Sequence, residues 1–292
     1  MRYLLYHFIS GEAFFSGVAL LVLAVGASAL QSWKPARFAM RLLAAVGLIF
    51  IVLSATPFPL WVYCCWFGLV VGWLVLEEVF AKQRRWAFTA CRIAVVLACL
   101  AAAIGELPYH MFPSVPPRGS RTIYVIGDSI SAGIGQEGGN TWPNLLRQRL
   151  SADVVDLSRA GATINGAIER AEKVPAGPRL VLVEIGGNDM FAHVPAEQFE
   201  RSLSELSAHL QGPQSMTIMF ELPLPPFSNR YGRAQRMVAK RHDVILVPKR
   251  LFAKVLMGRD STLDSIHLSV KGHEEMAEVV SAILKKSAEA RE

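Results

Sequence analysis

Ser129, Gly161, Asn188, Asp264 and His267 are the residues whose types and settings suit chemistry. Ser129 follows Thr122-Ile123-Tyr124-Val125-Ile126, a β-branched run that stops abruptly at Gly127-Asp128. Such a run reads as a strand, and Gly and Asp then break it. The serine hydroxyl therefore falls in a tight turn at the strand's carboxyl end, the edge where open parallel sheets bind ligands. A serine is a poor nucleophile until a base takes its proton. His267 stands three residues after Asp264, a spacing that lets the carboxylate orient the ring and stabilise its charged form. Gly161 comes just after Val154-Val155-Asp156-Leu157, and Gly186-Gly187-Asn188-Asp189 follows Leu180–Ile185. Each of these features also has a plain structural role. Asp and Ser cap helices, Gly and Asn make turns, and a lone His is usually structural. Four such features in order at strand ends say more than any one.

That order, Gly-Asp-Ser, an isolated Gly, Gly-x-Asn-Asp and Asp-x-x-His, resembles the SGNH, or GDSL, hydrolase family over about residues 121–287. Within the family the chain looks most like the bacterial thioesterase/arylesterase/lysophospholipase branch. The resemblance implies Ser129 as nucleophile and Asp264 and His267 as its base system. It also implies an oxyanion hole made by the N–H groups of Ser129 and Gly161 with the Asn188 amide. Asp128 and Asp189 would brace their loops. The Gly-x-Ser-x-Gly elbow of α/β-hydrolases is absent, because Ile130 and Ser131 follow the serine. His273 reads as a solvated or capping residue of the last helix. A metal site from Asp264, His267, His273 and Glu274 lacks a further ligand cluster, so neither metal nor cofactor is expected. Met190 and the apolar loop holding Leu222, Leu224 and Phe227 are candidates for an acyl-binding pocket, with ordinary loop packing the alternative. Arg230, Arg233, Arg236, Lys240 and Arg241 recur at helical spacing, as a solvated charged face does.

The elements that must position these residues alternate. Strands are expected near 122–126, 153–157, 180–185, 215–220 and 244–247, and helices near 141–150, 164–173, 196–211, 229–241 and 270–287. Alternation of this kind predicts an α/β/α three-layer domain with a parallel sheet of about five strands, covering residues 121–292.

The first part of the chain differs. Of 292 residues 52% are hydrophobic, and the apolar ones crowd into Ala13–Leu30, Ala39–Pro57, Leu60–Leu76 and Trp86–Gly105. Each run is near the ~20 residues that span a bilayer. They predict an all-α domain of four transmembrane helices over residues 1–106. A stiff Pro-rich linker over 107–120 follows. Nine of the 30 Lys/Arg but only four of the 24 Asp/Glu precede residue 121, so the basic balance belongs mainly to this part. That speaks against nucleic acid as a partner. Lys34, Arg37 and Arg41 flank one turn and Lys82, Arg84 and Arg85 another; the positive-inside rule puts both in the cytoplasm and everything after residue 106 outside. Arg92 is expected to snorkel, Glu12 and Glu77 to mark helix ends, Trp33, Trp61, Trp86 and Tyr109 to anchor at the interface, and the four cysteines to be buried in apolar runs. Ala27-Ser28-Ala29 resembles a signal-cleavage site, but cleavage would leave basic residues beside a translocated terminus, so an uncleaved helix is expected.

The expectation is therefore an extracytoplasmic serine esterase integral to the inner membrane. It would act on lipid acyl or envelope-glycan acetyl esters or on thioesters, through an acyl-serine. An acyltransferase to an envelope polysaccharide and a catalytically silent tethered binding protein are the alternatives.

Overall fold

The structure, a computed structural model, describes residues 2–28, 34–79, 85–116, 122–134, 139–264 and 266–289. Ala29, Trp33, Lys82, Arg84, Ser265 and residues 117–120 of the Pro-rich segment lie outside the described residues. The chain divides into two compact units. One comprises His7–His110 with Leu224–Asn229, and the other Met1–Tyr6, Met111–Pro223 and Arg230–Glu292.

Helices α1 (Arg2–Ile9), α2 (Glu12–Ser28), α3 (Lys34–Leu53), α4 (Leu60–Val79) and α5 (Arg85–Glu106) come first. By length and composition three spans could cross a membrane: Pro35–Leu53, Leu60–Glu77 and Phe88–His110. A fourth arises if α1 and α2, bent by 84° at Gly11, count as one broken span. The outer faces of α3, α4 and α5 carry exposed Phe38, Ile49, Phe67, Leu97 and Ile104, as helices facing lipid do. Inside, Phe14, Leu21, Met40, Val70, Trp73 and Val95 form the core. Helices α2 and α3 approach closely at Gly17 and Gly47, where a Cβ on either would lie within 2.9 Å of the other's carbonyl oxygen.

Several expectations need correcting here. Arg92 does not snorkel. Its Nε donates to Glu77 Oε1 at 2.7 Å and its Nη2 to Glu77 Oε2 at 3.2 Å and to the Ser28 carbonyl at 2.8 Å. Glu77 is buried and also accepts from Trp73 Nε1 at 3.0 Å. A carboxylate inside an apolar bundle needs such partners, so the pair turns inward and ties α2, α4 and α5 together. Glu12 lies 3.5 Å from His7 Nδ1 in the first turn of α2. Cys64 and Cys65 are exposed on α4, Cys91 is half-buried, and Cys99 is buried. The segment after α5 is more than an extended tether. Leu107–His110 form a 3-10 turn, and Phe112 and Val115 pack into the core of the other unit because both are apolar.

That core surrounds a five-stranded, all-parallel sheet of order β2-β1-β3-β4-β5. The strands are β1 (Thr122–Gly127), β2 (Asp153–Asp156), β3 (Arg179–Glu184), β4 (Ser215–Phe220) and β5 (Ile245–Val247). Its helices are α6 (Ser129–Ala132), α7 (Trp142–Leu150), α8 (Ile164–Ala171), α9 (Gly187–Phe191), α10 (Ala196–Leu210), α11 (Asn229–Arg241), α12 (Lys249–Leu256) and α13 (Val270–Glu289). Leu180 and Leu182 pack with Trp142 of α7, Phe252 of α12 and Val280 of α13 on one face. Val181 and Val183 alternate to the other face, where α8 meets β1 and α10 meets β4. The result is the expected three-layer α/β/α domain. The strand order reverses between β1 and β3, since the chain leaves β1 towards β2 on one side and returns to β3 on the other. A crevice at the carboxyl ends of those two strands is the consequence.

Candidate active site

The motif residues sit at that reversal. Asp128 leaves β1 and caps the single turn of α6 by accepting from Ile130 N at 3.0 Å. Ser129 is therefore the first residue of the turn, its backbone fixed by the cap. Gly161, in the loop after β2, has φ 72°, a left-handed conformation that L side chains rarely adopt. Asn188 lies in α9, just past β3. Its Nδ2 donates to the Ala162 carbonyl at 2.9 Å and lies 3.5 Å from Asp128 Oδ2, so one amide links all three loops. Asp189 accepts from Ile164 N through both carboxylate oxygens, at 3.3 and 3.1 Å, tying α9 to the start of α8.

Asp264 and His267 occupy the tight loop between α12 and α13, closed by a Thr262–Leu268 bridge and by Leu263 N donating to the His267 carbonyl at 2.8 Å. Asp264 Oδ1 accepts from the N–H groups of Ile266 and His267, and Oδ2 lies 2.6 Å from His267 Nδ1. A carboxylate only accepts, so Nδ1 carries the proton and Nε2 is left free to accept one. The His267 backbone N–H, its ring and the Ile266 N–H hold Asp264 down at about 2. A positive charge on His267 lowers Asp128. Among the described residues no hydrogen bond joins Ser129 to His267; such bonds often tighten only when substrate is bound.

Beneath the turn lies a buried polar group that the sequence reading missed. Glu184, the last residue of β3, is paired in register with Gly127. Burial pushes its carboxyl well above the ordinary range, and the adjacent Asp128 pushes it further. Asp128 itself is raised to about 6, by burial first, against the pull of the Ile130 N–H and His267. Ser131 donates to Glu184 Oε2 at 2.8 Å and accepts from Trp142 Nε1 at 3.2 Å, and Trp142 N donates to His273 Nδ1 at 3.1 Å. His273 is thus neither solvated nor a surface cap: it is fully buried, and burial lowers it to about 4. The signal in the sequence was a lone acid in the otherwise apolar stretch Leu180–Ile185.

Met190 and Leu222 are buried, and Leu224, fully buried, belongs with Phe227 to the segment that packs in the helical unit. Phe227 is exposed. The basic run on α11 lies on the helix face turned away from the core, opposite buried Tyr231, Ala234, Gln235 and Val238. Arg236 binds buried Glu221 at 2.7 Å, Arg241 binds Glu200 at 3.0 Å, and Arg230 lies over the Tyr231 ring. Among the described residues no three His, Cys, Asp or Glu side chains converge as a metal site.

A family model described as GDSL-like Lipase/Acylhydrolase matches residues 125–275, a span that runs from β1 to α13 and takes in every motif residue. The chain belongs to the GDSL-like lipase/acylhydrolase family. It is a serine ester hydrolase of the SGNH type. This GDSL chain is 28% identical to the esterase TesA of Pseudomonas aeruginosa over 180 residues, 57% of this chain and 89% of that protein. It is 31% identical to the thioesterase 1/protease 1/lysophospholipase L1 of Escherichia coli K12 over 139 residues, 44% of this chain and 65% of that one. The fold matches that of the psychrotrophic esterase EstA from Pseudoalteromonas sp., with TM-score 0.51 and 23% identity over 57% of this chain and 98% of that one. These matches cover between 44% and 57% of the GDSL chain.

Proposed function

We propose that this GDSL hydrolase is a membrane-anchored, extracytoplasmic esterase acting on lipid-like carboxylic esters or thioesters, with Ser129 as nucleophile. The observation that carries this reading is Asn188. One side-chain amide bridges the loops after β1 and β2 from the end of β3. Esterase, thioesterase, lysophospholipase and arylesterase are the activities named for its relatives.

In this mechanism His267 Nε2 takes the Ser129 proton as Oγ attacks the carbonyl carbon. The oxyanion is held by the N–H groups of Ser129 and Gly161 and by the Asn188 amide. As the C–O or C–S bond breaks, His267 returns the proton to the leaving alkoxide or thiolate. Water, deprotonated by His267, then hydrolyses the acyl-serine. Asp264 keeps the ring in the required tautomer throughout. The apolar spans and the basic turns support anchoring with the hydrolase unit outside the cytoplasm.

The test is labelling of the full chain by a fluorophosphonate probe, paired with hydrolysis of p-nitrophenyl esters from acetyl to octanoyl. Wild type is expected to label and turn over. S129A is expected to do neither while melting at the wild-type temperature. Labelling that survives S129A assigns the nucleophile elsewhere.

A further inference from the structure

Glu184 and Asp128 meet in a space that water does not reach. Glu184 is 1% exposed and Asp128 3%. Both the backbone N–H and the carboxyl of Asp128 face Glu184. Glu184 Oε2 is taken by the Ser131 hydroxyl, while Oε1 is buried and makes no hydrogen bond. An ionised carboxylate with an unsolvated oxygen against a second carboxylate is costly, whereas a protonated one becomes a donor. The surroundings do not neutralise two negative charges. Asp189 on α9 adds a like charge. His267 in the last loop and Arg170 on α8, whose Nη2 lies 3.5 Å from the Gly127 carbonyl, are the opposite charges felt by Asp128. His273, reached through Ser131 and Trp142, is buried and neutral.

We propose that Glu184 is a positioning residue of the ester hydrolysis: it keeps a proton on Oε1, donates it to the Asp128 carboxylate, and so holds the nucleophile turn and the Asn188 amide in place. Asp128 has two other duties. Oδ1 caps Ile130 N, which sets the Ser129 backbone, and Oδ2 faces Asn188 Nδ2, a proposed oxyanion donor. The Glu184 hydrogen bond fixes the carboxylate between them. When Glu184 gives up its proton to solvent at alkaline pH, the donor is lost and a second negative charge appears beside the site where an oxyanion must form. Turnover should then fall, although Ser129, Asp264 and His267 are untouched. The raised value of Glu184 delays that loss to pH values well above the ordinary carboxylate range.

The inference rests on the Ser129 reading, and the test separates the two. The rate of p-nitrophenyl butyrate hydrolysis by the full chain is followed across neutral and alkaline pH for wild type, E184A and E184Q, with fluorophosphonate labelling of wild type and S129A alongside. E184A is expected to lose about tenfold or more in kcat with KM nearly constant, because only transition-state placement is damaged. E184Q, whose amide donates to Asp128 and accepts from Ser131 without titrating, is expected to recover most of that loss and to lack the alkaline fall of wild type. An E184Q profile that keeps the wild-type alkaline fall, or a wild type without one, overturns the inference. So does a lower kcat in E184A that E184Q leaves unrepaired. Labelling lost in S129A together with any of these results overturns this inference alone. Labelling that survives S129A overturns the nucleophile reading and this inference with it.

Discussion

At the scale of single residues the site divides into exposed chemistry and a buried support. The Asp264–His267 pair is open to solvent, with the Asp264 side chain 55% exposed, so its orientation rests on hydrogen bonds rather than burial. Three of them converge on one carboxylate, two from backbone N–H groups, and hold it ionised down to about pH 2. A depressed carboxylate favours the folded loop above its ordinary range and loses that contribution as pH falls towards 2. D264N should lower kcat by on the order of 10²- to 10⁴-fold, because an amide can present its N–H₂ to the ring and favour the wrong tautomer. Steady-state kinetics with p-nitrophenyl butyrate checks this, and a loss confined to KM would contradict it.

Elements decide a different set of questions. The helical unit is more than a hydrophobic tether, because α2, α4 and α5 share the Ser28–Arg92–Glu77–Trp73 network in their midst. Removing one member of a buried ion pair leaves the other uncompensated, at a typical cost of about 3–5 kcal/mol. The Arg92 side chain is 25% exposed, which places R92A at the low end of that range. Thermal unfolding of the full chain in detergent should show R92A clearly destabilised, and R92A/E77L more stable than R92A alone. A double variant no better than the single one would mean that the pair contributes by packing, not charge. The same unit takes up Leu224, so that residue is accounted for by burial there.

For the whole molecule the open matter is orientation across a membrane. We propose, from the clustering of Lys and Arg near 34–41 and 82–85, that these segments lie on the cytoplasmic side and the hydrolase unit on the other. An alkaline phosphatase fused after residue 292 should be active, and one inserted between α2 and α3 inactive. The reverse pattern would put the hydrolase unit in the cytoplasm and remove envelope substrates from consideration.

Much of this protein was legible in the sequence. The five strands, their parallel order and the nucleophile turn follow from local signals. β-branched runs, Gly-Asp breaks and periodic apolar helices act over a few residues and need no partner. The four motifs were legible because short loops at strand ends carry their own geometry. The α12 helix and the inward turn of Arg92 were not, since both depend on what packs against them. Nor was the Glu184–Asp128 pair. Gly127 and Glu184 are distant in the chain and become neighbours only through the β1–β3 register. The protonation of a carboxyl depends on the water and charge around it, and in this chain the tertiary structure alone decides those.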